Sequence, residues 1–128
     1  MVDLAYVNAF AHDLDRLAGF YRDLLGLEEI VESRAITFRG FRGGGCNLGF
    51  STPEIYDLLA LPKPQDEGVK MFLTWNVPLR ADVDKLTERA VALGAQLTRS
   101  PFQTAYGWYL STLLDPEGNA FRINTTSA

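Results

Sequence analysis

From Leu4 to Ala11, larger or polar side chains at 6, 8 and 10 alternate with small ones at 5, 7, 9 and 11. A two-residue period predicts a strand with two unlike faces. Asp13 follows as a helix N-cap. Leu14, Leu17, Ala18, Tyr21, Leu24 and Leu25 then recur at helical spacing, and Gly26 is suited to end that helix in a left-handed conformation. Three strand-like stretches come next, near 28–33, 35–39 and 45–50, with Gly43-Gly44-Gly45 making the turn before the last. Neither Lys-Ser/Thr nor a helix follows that tripeptide, which argues against a phosphate loop.

The second half repeats the plan. Val69 to Val77 reads as a strand, Asp82 as the cap of a helix with Val83, Leu86, Ala90 and Leu93 on one face, and Gly94 as its end. Strands near 95–100, 107–114 and 119–125 complete it. Asp13-Leu14-Asp15-Arg16-Leu17 matches Asp82-Val83-Asp84-Lys85-Leu86 in residue type, and each leads to a Leu-Gly helix end. The order strand–helix–three strands thus occurs twice, predicting an α+β chain of two βαβββ modules, about 1–50 and 69–128. Between them, residues 51–68 hold Pro53, Pro62, Pro64 and Gly68, a linker or lid with room for a helical turn at Glu54–Ala60.

Composition narrows the function classes. At 128 residues the chain has the size of one domain. With 16 acidic against 12 basic residues and no basic run interleaved with aromatics, nucleic-acid binding is disfavoured. No apolar stretch approaches the roughly 20 residues that span a bilayer, and the start of the chain carries no basic, apolar leader. A single cysteine, Cys46, permits no intrachain disulfide. These features point to a cytoplasmic protein. Cys46 reads as a small buried strand residue, and His12, the one histidine, as a solvated loop residue rather than the partner of a nucleophile.

The turn Asp115-Pro116-Glu117-Gly118-Asn119 between two apolar runs resembles the C-terminal signature of the vicinal oxygen chelate superfamily. That superfamily includes glyoxalase I, extradiol dioxygenases, fosfomycin-resistance enzymes and bleomycin-binding proteins. The segment Asp13-Leu14-Asp15 with Phe20-Tyr21-Arg22-Asp23-Leu24-Leu25-Gly26-Leu27 resembles its first helix. The resemblance covers nearly the whole chain and implies two modules forming a strand-lined cup, one sheet face of each being left open.

The superfamily's metal ligands have no counterparts at the matching positions. Metal-dependent members place a glutamate seven residues after the Asp of the turn, where this chain has Arg122. A guanidinium offers only donors and cannot bind a divalent cation. The first-strand ligand, usually His or Gln seven residues before the helix-starting Asp, is here Tyr6. The ligand on the first strand of the second half falls on Phe72 counted from Val77, or on Trp75 counted from Asp82. Cys46 to Phe50 contains no His, Glu or Asp. About three convergent ligands are needed for a catalytic divalent site, so the expectation is no metal and no cofactor.

If the family geometry holds, the faces that lost the ligands line the cavity. They carry Tyr6, Asn8 and Phe10; Phe72, Thr74 and Asn76; Trp108, Leu110 and Thr112; and Arg122 and Asn124. Phe121 and Ile123 would pack beneath a helix. Trp108 and Tyr109 cannot both face the cup, and Trp108 is the preferred one. Arg122 has two readings: an anchor for a carboxylate or phosphate, or a structural residue held by an acidic side chain or an aromatic ring. The first functional expectation is a protein binding a small aromatic or anionic molecule in a metal-free cavity, as bleomycin-resistance proteins do. The alternative is a metal-independent isomerase or lyase, with Tyr6 as general acid/base and Arg122 stabilising negative charge. A metal-dependent glyoxalase or dioxygenase stands third. By family analogy the chain forms a homodimer.

Overall fold

The computed structural model describes residues 2–65 and 67–128. Two compact units divide the chain near residue 66.

In the first unit, strand β1 (Tyr6–Phe10) leads into helix α1 (Leu14–Leu25), followed by β2 (Phe38–Arg42), β3 (Asn47–Ser51) and the short helix α2 (Glu54–Leu58). The sheet order is β1-β3-β2, with β1 and β3 parallel and β2 and β3 antiparallel. Asp13 caps α1 by accepting from Arg16 N at 3.1 Å. Gly26 ends it with φ 66°, the left-handed conformation that glycine adopts without a Cβ penalty. Leu14, Leu17, Ala18, Phe20, Tyr21 and Leu24 are buried from the helix. Leu48, Phe50 and Phe41 are buried from the sheet, and Tyr21 stacks on Phe50 with ring centroids 5.2 Å apart.

The strand expected near 28–33 is not a strand. Glu29 forms one bridge to Phe41, and the chain then turns through a 3-10 turn at Val31–Ser33. Ser33 causes the departure, because its hydroxyl donates to Ile30 O at 2.6 Å and closes the turn. Arg34 then folds back on Glu29 as a bidentate pair, at 2.8 and 2.7 Å. The hydrogen bond from Arg34 holds the Glu29 carboxyl below its usual range. The stretch expected at 35–39 forms three residues later as β2, since Ala35 and Phe38 close a turn on each other.

The second unit contains β4 (Phe72–Asn76), α3 (Arg80–Ala92), β5 (Gln96–Gln103), β6 (Tyr109–Leu114) and β7 (Ala120–Thr125), in sheet order β4-β7-β6-β5. Only β4 and β7 run parallel. Asp82, expected as the N-cap of α3, is its third residue instead; Leu79 is the cap, and its N–H donates to the Asp82 carboxylate at 3.1 Å. The carboxylate therefore satisfies the helix start from inside the first turn. Helix α3 packs on β5, β6 and β7. Val83, Ala90, Leu113, Phe121 and Ile123 are buried in this unit.

A polar contact joins α3 to the sheet. Thr87, not Leu86, is the buried residue at this level of the helix, and its hydroxyl lies 2.6 Å from Val83 O and 2.7 Å from Ser111 Oγ. Ser111 is fully buried. Thr87→Val is expected to strand that hydroxyl and cost about 1–3 kcal/mol. The double variant Thr87→Val/Ser111→Ala should recover part of the loss, read as a coupling energy from urea unfolding midpoints.

Candidate functional site

In the second unit, backbone register decides which side chains share the face away from α3. Phe72, Thr74 and Asn76 of β4 lie opposite Ala120, Arg122 and Asn124 of β7, and Leu110 and Thr112 of β6 lie opposite Asn124 and Arg122. Paired residues project to the same side of a sheet. Trp75 pairs with Ile123 and therefore belongs to the opposite face, so it is Thr74, with Phe72 beside it, that neighbours Arg122.

Arg122 is the centre of this face. Its Nε donates to Thr74 Oγ1 at 2.8 Å and its Nη1 to the Tyr106 hydroxyl at 3.4 Å. The guanidinium carbon lies 5.2 Å from the Phe72 ring centroid and 5.5 Å from that of Trp108, within cation–π range. Of the five guanidinium N–H bonds, those two are used, and the others, including both on Nη2, have no partner among the described residues. Nor does Arg122 form an ion pair there. Of the two structural arrangements the sequence offered, aromatic stacking is present and the acidic partner is absent from the described residues.

The turn between β5 and β6 supplies two of these contacts. Thr104 Oγ1 accepts from Trp108 N at 3.0 Å, and Thr104 N donates to Trp108 O at 2.7 Å. This closure sets the Tyr106 and Trp108 rings edge to face, 5.4 Å apart. Further along the face, Thr112 Oγ1 lies 2.7 Å from Thr98 Oγ1. Asn124 Nδ2 donates to Asn76 Oδ1 at 2.9 Å, while Asn124 Oδ1 is buried without a partner among the described residues. Leu110 is buried too, so these two are set deeper than the exposed Phe72.

Tyr109 points the other way, toward α3. Its hydroxyl donates to Asp84 at 2.7 Å and its ring lies beneath Arg80, 5.0 Å from the guanidinium. The hydrogen bond to Asp84, with desolvation, raises the Tyr109 pKa above its ordinary value of about 10. A raised pKa stabilises the fold fully below the unfolded-state value and loses that effect as pH rises through the folded-state value. The stability gap between the protein and Tyr109→Phe is therefore expected to hold up to about pH 10 and shrink above it. Asp84→Asn should move the late phenolate absorbance step to lower pH.

Tyr6, Asn8 and Phe10 share the face of the first unit away from α1. Tyr6 meets Phe38 edge-on with centroids 6.2 Å apart, and Phe10 stacks on Tyr56 at 3.7 Å. Asn8 lies opposite Gly49, where an added Cβ would collide with Asn8 Oδ1 and stand 2.8 Å from Phe38 Cε1. The missing side chain of Gly49 lets the amide and the Phe38 ring lie down on β3.

Sequence reasoning missed Tyr106, Thr98, Phe38 and Tyr56. Strand parity could have found Phe38 had β2 been given its true register. Tyr106 lies in a turn, where no alternation points to it. Cys46 is half-buried in the turn before β3 rather than buried within a strand. His12 is exposed.

The donor set does not suit a divalent cation. The positions matching the superfamily's ligands present a phenol, an aromatic ring and a hydrogen-bonded guanidinium. Among the described residues no group of three or more His, Cys, Asp or Glu could hold a metal ion. No helix among them is long and apolar enough to cross a membrane.

A family model described as a glyoxalase-like domain matches residues 5–124. No curated relative matches the chain. Among solved structures, a glyoxalase/bleomycin resistance protein/dioxygenase family enzyme from Burkholderia phytofirmans PsJN is 40% identical, with TM-score 0.94, over 98% of this chain and 100% of that one. A glyoxalase-related enzyme from Fulvimarina pelagi is 24% identical at TM-score 0.87, over 98% and 88% of the two chains. A lactoylglutathione lyase from Agrobacterium tumefaciens is 23% identical at TM-score 0.73, over 95% and 92%. The last two likenesses concern the fold alone. The family match over nearly the full length, the 40% identical structure and the doubled strand–helix plan together establish that this chain belongs to the glyoxalase-like domain family, within the vicinal oxygen chelate superfamily.

Proposed function

We propose that this protein binds a small aromatic or anionic molecule without a metal, anchored by Arg122. The carrying observation is a guanidinium held in place by Thr74, Tyr106, Phe72 and Trp108 while its outer N–H groups have no partner among the described residues. Such an arrangement fixes a cation in advance, so little side-chain entropy remains to be lost when an anion arrives. Apolar walls with a few polar anchors are the usual composition of a small-molecule site. The reading extends to a homodimer in the cytoplasm; the dimer is checked by light scattering at several concentrations.

Chelator-treated protein titrated with benzoate supplies the test, because Trp108 neighbours the anchor and its fluorescence reports occupancy. Saturable quenching, with benzoate recovered unchanged, is the expected result; no response beyond that to benzamide refutes the anionic anchor. In parallel, calorimetric titration with nickel, manganese and zinc is expected to show no stoichiometric uptake. Tight binding of one ion per chain would restore a glyoxalase- or dioxygenase-type reaction.

A further inference from the structure

We infer that the anionic group held at Arg122 is a phosphoryl or phosphonyl group rather than a carboxylate. The inference rests on the reading of Arg122 as a ligand anchor and follows from counting donors around it. Thr74 and Tyr106 both accept from Arg122, so each keeps its own hydroxyl hydrogen for another acceptor. Thr112, directly across from Arg122, shares one hydrogen with Thr98, and the second hydroxyl hydrogen of that pair remains.

These hydroxyls belong to one band of the sheet. Thr74, Arg122 and Thr112 are successive partners across β4, β7 and β6, and Thr98 extends the row onto β5. Neighbouring strands lie about 4.8 Å apart, so Thr74 and Thr112 flank Arg122 at one strand spacing on either side, and Thr98 stands one strand further out behind Thr112. With the unused guanidinium N–H groups, about six donors lie at Arg122 and on the strands beside it, and no carboxylate among the described residues pairs with Arg122.

The donor number separates the candidate anions. A carboxylate has two oxygens and about four lone-pair sites, of which a guanidinium fork takes two. It would leave part of the exposed hydroxyl row to water, so those donors would add nothing to its binding. A phosphoryl group brings three strong acceptor oxygens and a second negative charge above its second pKa of about 6. Phe72 and Trp108, which flank the guanidinium, would then meet the organic part of the ligand.

The experiment compares phenyl phosphate, benzoate and benzyl alcohol by tryptophan fluorescence and calorimetry, on the protein and on Tyr106→Phe, Thr112→Val and Thr112→Ser. Tyr106 is 63% exposed, so its substitution leaves the fold intact and keeps the test available if Thr112→Val misfolds. Phenyl phosphate is expected to bind about tenfold or more tighter than benzoate, with affinity rising through about pH 6 as the dianion forms. Tyr106→Phe and Thr112→Val should narrow that preference several-fold, and Thr112→Ser should retain it. Equal or tighter binding of benzoate, or a preference unchanged in both hydroxyl-deleting variants, overturns the phosphoryl assignment and leaves the anion anchor standing. If neither anion binds better than benzyl alcohol, the anchor reading fails and this inference fails with it.

Discussion

Alanine at Phe50 is expected to lower folding stability by about 3–5 kcal/mol, the range for truncating a buried phenylalanine. Phe50 is 1% exposed on β3, the central strand of its sheet, and its ring contacts those of Tyr21 at 5.2 Å and Phe41 at 6.0 Å. Removing it opens a cavity between α1 and the sheet that neither neighbour can fill without leaving its rotamer. Whole domains have only about 5–15 kcal/mol of stability, so the variant should unfold at a much lower urea concentration. Phe50→Leu, which retains most of the apolar volume, should cost roughly half as much or less. A loss below about 1 kcal/mol in Phe50→Ala would mean that this aromatic cluster does not organise the first unit.

Arg122→Gln is expected to weaken binding of an anionic aromatic probe by about 1.5–3 kcal/mol, roughly a ten- to hundredfold rise in Kd. The change removes the charge and the planar fork while keeping a polar side chain of similar reach. Arg122→Lys should fall between the two, because it keeps the charge but loses the bidentate geometry and the flat stacking surface. Folding stability should change by only about 1 kcal/mol, the scale of an exposed cation–π contact. Unchanged affinity together with a large stability loss would make Arg122 a structural residue and sink the proposed function. Titration of all three proteins with benzoate, alongside urea unfolding, separates these outcomes.

Both predictions depend on features of different legibility. The Arg122 position stood out in the sequence because the turn Asp115–Asn119 fixes where β7 begins, and Asp115 Oδ1 accepts from Glu117 N and Asn119 N at 2.9 Å each. From that local anchor, two-residue alternation puts Arg122 and Asn124 on one face and Phe121 and Ile123 on the other. Helix α1 was equally plain, since its cap, its apolar stripe and its closing glycine lie within one continuous segment. The strand expected near 28–33 does not form because a hydroxyl-to-carbonyl bond at Ser33 and an ion pair at Glu29 compete locally with strand pairing.

The sequence by itself determined the doubled α+β plan, the faces of individual strands and the absence of ligand-type residues at the superfamily's metal positions. These depend on local periodicity and residue chemistry. Tertiary structure alone decided that Thr74, among the residues on the cavity face, is the one Arg122 pairs with and donates to, because that choice is a register between residues 48 positions apart. It also brought Tyr106 from a turn to the guanidinium and joined Thr98 to Thr112 across a strand pair containing register shifts. Local propensity fixes where a side chain points along its own strand; which distant group it meets is set only when the strands pair.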